Sequence, residues 1–217
     1  MIAYHLCFDF NLPWVRVLDA DFNRSAFWLS FRGLIVTSFM ALVGVSLHLA
    51  REGRISPVRY WRRIGVIVLC AALVSAGSYL MFPQTFISFG ILHCIALCSL
   101  LAWPLVSRPR AAAIVGIALI ALGNSVHDAF FDARPLQWIG LMTHKPATED
   151  YVPLLPWLGV VLIGIAAGAW LSSRHFSPLA PLSAAPGWVQ WLGRHSLLVY
   201  MAHQPLLLAV LWLLFGR

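Results

Sequence analysis

Residues 191–215, WLGRHSLLVYMAHQPLLLAVLWLLF, constrain the fold of this chain more than any other stretch. Arg194 and His195 stand at one end, and twenty largely apolar residues follow. A helix needs about 20 such residues to cross roughly 30 Å of hydrocarbon. Near the middle of the run lie His203 and Gln204, followed by Pro205. Hydrocarbon solvates neither an imidazole nor an amide, so such groups usually face a bundle interior or a wet cavity. Pro205 removes a backbone donor and crowds the carbonyl of Met201, which bends a helix or frees carbonyls toward a polar interior. The segment predicts membrane-crossing helices arranged around something polar.

Composition extends this to the whole chain. Of 217 residues, 60% are hydrophobic and 11% charged, against about 25% charged in a soluble domain. The expected fold is an all-α integral membrane protein, a single transmembrane domain over 1–217. The net charge of +7 does not indicate nucleic acid, because the arginines are spread through short loops. Cys7, Cys70, Cys94 and Cys98 lie in or beside apolar runs and read as packing residues. Cys94 and Cys98 share a helix face but are too few to hold a metal. No phosphate loop, nucleophile elbow, zinc spacing or dinucleotide fingerprint is present.

Hydropathy gives a bundle of about seven helices. The first apolar segment, MIAYHLCFDFNL, is too short to span and is expected to be re-entrant or, as we favour, a helix truncated at its front. Further spans are expected at 31–50, 64–82, 87–106, 111–126 and 154–171, with 191–215 last. Gly33, Ser38, Ala41, Gly44 and Ser46 mark the second as a close-packing helix. Trp14, Trp28, Trp138, Trp157 and Trp212 suit an outer interfacial belt.

Alternate loops carry Arg51, Arg54, Arg59, Arg62 and Arg63, then Arg108 and Arg110, then Arg174 and Arg194. Positive loops mark the cytoplasmic side of an inner membrane and put the C-terminus at Arg217 outside. The loops 11–27 and 127–151 then face outward, with His127, Asp128, Asp132, His144, Lys145, Glu149 and Asp150 in the second.

The polar residues within this frame are mostly histidines. His5 and Asp9 are spaced i, i+4 and can touch. Such a pair is either a general base with its orienting carboxylate or a helix-end contact at the interface. His93 reads either as a core histidine bonded to a neighbouring helix or as a site-lining group. His203 with Gln204 favours cavity lining. His48 is expected at the interface. Asp150 stands before the sixth span and is expected to cap it, or to join a site. Intramembrane histidine suits acyl transfer, or proton-coupled transport by a transporter or exporter; a structural subunit without chemistry is a third reading. Transporters often show inverted repeats and paired broken helices, and the sequence shows neither.

Five stretches, taken in order, resemble the heparan-alpha-glucosaminide N-acetyltransferase catalytic-domain family of transmembrane acyltransferases. They are MIAYHLCFDFN at 1–11, FWLSFRGLIVTSFMALVGVSLHLA at 27–50, FGILHCIALCSLLAWPL at 89–105, DYVPLLPWLGVVLIGIAAG at 150–168 and WLGRHSLLVYMAHQPLL at 191–207. The acidic residue and RG that usually precede the first are absent. The resemblance implies transfer of an acyl group, typically acetyl, from cytoplasmic acyl-CoA to an amine or hydroxyl of an extracytoplasmic glycan. It implies acetyl-CoA as donor and no metal. The lysosomal relative uses an asparagine near the outer end of its first helix and a histidine in the loop that follows. His5 stands at the asparagine position and Asn23 near the histidine position, so the two types look exchanged. The resemblance thus implies His5 and Asn23 as catalytic residues, and the i, i+4 spacing adds Asp9 to the expected set. His93 and His203, which fall in matching segments, are expected to line the channel, and Gln204 and Asp150 are expected to line it with them. Arg62, Arg63, Arg108, Arg110 and Arg194 are expected to meet CoA phosphates, since the guanidinium fork matches phosphate geometry. The expected partners are acyl-CoA, a glycan, the lipid bilayer and a possible homodimer.

Overall fold

The computed structural model describes the chain except residues 13, 19, 23, 149 and 217 and the side chain of Ser183. The expectations for Asn23, Glu149 and Arg217 lie outside the described residues. Among the described residues the chain is all-helical, with no strand. The α-helices are α1 (Ile2–Asp9), α2 (Ala26–Glu52), α3 (Pro57–Met81), α4 (Ile91–Ala102), α5 (Pro109–Ser125), α6 (Trp157–Ser173), α7 (Gly187–Arg194) and α8 (Ser196–Phe215).

Three of these, α2, α3 and α8, are long and apolar enough to cross a membrane. Their surfaces fit that role. Leu80 is 82% exposed, Leu213 76% and Leu214 67%, and side chains of this kind need a lipid partner. The apolar stretches 91–105, 109–125 and 157–173 form shorter helices. Helix length therefore supports three crossings where hydropathy counted about seven. Local chemistry shortens the others. Gly90 is extended and starts α4 only at Ile91, and Pro104 turns the end of the fourth span into a 3-10 segment at Trp103–Leu105. α1 has eight residues and cannot span.

The ends of the long helices follow from single residues. Ser56 accepts the Arg59 N–H and Pro57 fills the first helical position, so α3 begins there. The run 191–215, expected as one helix, divides at His195. Its ring stacks on Trp191 at 4.6 Å and its Nδ1 donates to the Trp191 carbonyl, ending α7. α8 then continues through Pro205 to Phe215.

The chain forms two compact units, one of residues 1–36 with 179–217 and one of residues 37–178. In the first, α1 packs on α8. Phe22, 3% exposed, fixes the following loop to α1 through Tyr4 (5.8 Å) and Phe8 (5.3 Å). Trp28, expected in an interfacial belt, joins this cluster at 4.3 Å from Phe22.

In the second unit, α5 and α6 touch through glycine. A Cβ on Gly159 would sit 2.5 Å from the Gly116 carbonyl oxygen, so any larger residue forces the helices apart. Gly44 behaves likewise, since its Cβ would lie 2.7 Å from the Ile165 nitrogen. Gly33, in the first unit and expected like Gly44 to allow close packing, faces open space. Cys94 and Cys98 are buried and free, with sulfurs 3.6 Å apart, and Cys94 donates to the Pro153 carbonyl. They fill the core, as their apolar setting suggests.

Candidate functional site

The first unit holds a buried polar cluster between α1 and α8. The i, i+4 spacing allows His5 and Asp9 to touch, yet no hydrogen bond or ion pair joins them among the described residues. Asp9 instead turns to α8. It is 1% exposed, and Gln204 Nε2 donates to both its oxygens, at 2.9 and 3.0 Å. A carboxylate that deep needs a donor, and the amide of Gln204 supplies one where the imidazole does not. The His5 ring faces the His203 ring at 5.0 Å and Tyr4 at 5.9 Å. His203 Nδ1 donates to the Tyr200 carbonyl. Four predicted residues, His5, Asp9, His203 and Gln204, are thus brought together. Asn11 closes the adjoining loop, its amide donating to the Ala20 carbonyl and accepting the Ala20 N–H.

His93 and Asp150 lie in the second unit, both at the start of α4. His93 Nδ1 accepts the Gly90 N–H at 3.3 Å, so the ring hydrogen is on Nε2, which lies 3.3 Å from Ser75 Oγ. Ser75 in turn donates to the Ile87 carbonyl at 2.6 Å. Both ring nitrogens are engaged, and this geometry matches the core-histidine reading. Asp150 was expected to cap the sixth span. It caps α4 instead, its Oδ2 accepting the Ile91 N–H at 3.1 Å across 59 residues. The loop curls back because Thr148 donates to the Phe86 carbonyl. A Cβ at residue 90 would lie 2.7 Å from that same Asp150 oxygen, so glycine is required for the approach.

The predicted phosphate-binding arginines are dispersed. Arg62 and Arg63 are on α3, Arg108 and Arg110 at the start of α5, and all four are exposed. Arg194 ends α7 and donates to Gln190. The second unit also has a cavity of about 360 Å³ lined by Arg51, Arg54, Ile55 and Trp103. The Arg51 guanidinium lies 5.8 Å from the Trp103 ring, which packs on Tyr60 at 4.2 Å. Tyr60 is held by donating to the Ser99 carbonyl. Two arginines around an aromatic face suit a phosphorylated group bearing a planar ring. Sequence reading had placed Arg51 and Arg54 among the topology signals. The signal for the cavity was Trp103 at the span end, which spacing alone could not connect to them. His48, expected at the interface, lies 3.8 Å from Glu52 on the same helix.

Residues of the 127–151 loop line a second, open pocket of about 290 Å³, among them His127, Thr143, His144, Lys145 and Tyr151. Asp132 accepts the Thr143 N–H at 2.8 Å and its hydroxyl at 2.7 Å. The backbone bond first, the hydroxyl second and nearby His144 together hold its carboxyl below the usual range. Tyr151 donates to the Gln137 carbonyl at 2.6 Å, and burial pushes its phenol up to about 12. No group of three metal-ligating side chains occurs among the described residues.

Comparison with curated proteins and with solved structures gives no match. The family model described as heparan-alpha-glucosaminide N-acetyltransferase, catalytic, matches residues 1–205. That span takes in both units' polar clusters and nearly the whole chain, and this protein therefore belongs to the heparan-alpha-glucosaminide N-acetyltransferase catalytic family.

Proposed function

We propose that the chain is a transmembrane acetyltransferase of the inner membrane. It takes acetyl from cytoplasmic acetyl-CoA and delivers it to an amine or hydroxyl of an extracytoplasmic glycan. Family membership over residues 1–205 carries this reading. The exposed apolar faces of α3 and α8 support a membrane location. In this reading the shorter apolar helices complete a bundle of about seven crossings, and the C-terminus is extracytoplasmic.

Each polar group then has a task. His5 deprotonates the acceptor or takes the acetyl group itself as nucleophile. Asn23 orients the acceptor. Asp9 and Gln204 join α1 to α8 and fix the helix that carries His203. His93 and Asp150 hold the start of α4. The CoA phosphates are met by Arg51 and Arg54 beside Trp103, where the cavity is, with Arg62, Arg63, Arg108, Arg110 and Arg194 adding long-range attraction.

Thermal unfolding of the purified protein with acetyl-CoA tests the reading. Donor at 100 times its Kd stabilises by about 2.7 kcal/mol, and Arg51→Ala with Arg54→Ala weakens that response. Lack of stabilisation, with solute uptake into liposomes driven by a pH gradient, would make the protein a transporter.

A further inference from the structure

Among the described residues of the first unit, two buried side-chain acceptor atoms remain unused once its internal hydrogen bonds are assigned. The first is on His203, which is 8% exposed. Its Nδ1 lies 2.5 Å from the Tyr200 carbonyl oxygen. A carbonyl only accepts, so Nδ1 carries the hydrogen, and Nε2 of the neutral ring is a bare lone pair. That Nε2 is buried and has no partner among the described residues. The second is Gln204 Oε1, also buried and unpartnered. Its amide cannot flip to relieve this, because the nitrogen must face the Asp9 carboxylate.

A buried acceptor left unsatisfied costs about 1–3 kcal/mol. Native proteins keep few of them, and such atoms mark places where a missing partner binds. What can bind is restricted by chemistry. A thioester offers only acceptors, its carbonyl oxygen and its sulfur, and gains nothing from a lone pair. An amine or hydroxyl brings a hydrogen. The ring is also held in place. Tyr200 fixes its tautomer, the Asp9–Gln204 bond ties its helix to α1, and the His5 ring packs on it in an edge contact with centroids 5.0 Å apart.

We propose that His203, in place of His5, is the catalytic base: its Nε2 takes the proton from the acceptor nucleophile during acyl transfer, and His5 packs beside it. This rests on the acetyltransferase reading above. In the step, the acceptor nitrogen or oxygen bonds to the thioester carbonyl carbon and its N–H or O–H bond breaks toward His203 Nε2. The C–S bond then breaks, and the imidazolium returns the proton to the leaving CoA thiolate. Donor and acceptor become acetylated acceptor and free thiol, with no other reactant.

The test uses the full-length protein in nanodiscs, acetyl-CoA, and a panel of amino sugars and amino alcohols as probe acceptors. Thiol release and acetylated product are both measured. His203→Ala is expected to lower kcat by about 10²- to 10⁴-fold, to keep its stabilisation by acetyl-CoA, and to recover partly with added imidazole. His203→Gln can still donate to the Tyr200 carbonyl, so it guards against loss of folding, and it is expected to be equally slow. Nitrogen-15 spectra of histidine-labelled wild type, assigned by the signal lost in His203→Gln, should show the hydrogen on Nδ1. A folded variant within about threefold of the wild-type kcat, or a hydrogen found on Nε2, overturns the proposal. If the variants are active beside an active wild type, only His203 loses its role. If the wild type transfers nothing, the acetyltransferase reading falls and this inference falls with it.

Discussion

Replacing Gln204 by leucine tests how the α1–α8 interface is held. Leucine roughly keeps the volume and removes the only side-chain donor to Asp9 among the described residues, and Asp9 is 1% exposed. Interhelical hydrogen bonds in membrane proteins average only about 0.6 kcal/mol, with a maximum near 1.7, because the unfolded chain in lipid also finds partners. A bond to a charged group is worth about 1.5–3 kcal/mol. One nitrogen serves both oxygens, so it counts once. To it is added the penalty of a carboxylate stranded among apolar side chains. The expected loss is about 2–3 kcal/mol, a roughly 30- to 140-fold fall in the folded-to-unfolded ratio. Reversible unfolding in mixed micelles, followed by tryptophan fluorescence, measures it. The double variant Asp9→Leu with Gln204→Leu should recover most of the loss, because no charge is then left unpaired. A Gln204→Leu protein within about 0.5 kcal/mol of wild type, or a double variant no more stable than the single, would refute the argument.

Further outcomes follow from other contacts. Gly159→Val places carbon against the Gly116 carbonyl and should destabilise by about 3 kcal/mol or more, since backbone cannot yield as a side chain does; the same unfolding titration reads it. Asp150→Ala removes the α4 cap and should cost about 1 kcal/mol, seen as faster hydrogen exchange at the Ile91 amide, with α5 unchanged. Asp132 titrates below the ordinary aspartate range through its bonds to Thr143. Its contribution to loop order is therefore present above about pH 3.9 and is lost as pH falls from there through the lowered native value. Protection of the 127–151 loop from exchange should weaken on acidification, and Asp132→Asn should flatten that dependence. Protection that rises with acid would contradict it.

Helical class, membrane character and family were all legible in the residue string. An apolar run of about 20 residues specifies a helix in lipid by itself, because its backbone bonds close within the segment. Thus α2, α3 and α8 were found without tertiary information. The other apolar stretches form shorter helices than hydropathy suggested, since the ends of the fourth are set by Gly90, Asp150 and Pro104, which no hydropathy window weighs. The site was legible as a set of residues but not as a set of pairs. His5, Asp9, His203 and Gln204 could be named from depth and type. That Asp9 takes Gln204 rather than His5, across 195 residues, could not. Nor could the engagement of both His93 nitrogens, the reach of Asp150 to α4, or the meeting of Arg51 with Trp103. Sequence by itself determined which segments must leave water, because that depends on the sum of their own side chains. Tertiary structure decided which polar groups satisfy one another and which atoms are left bare, because a hydrogen bond depends on distance and direction between segments that the chain order leaves free.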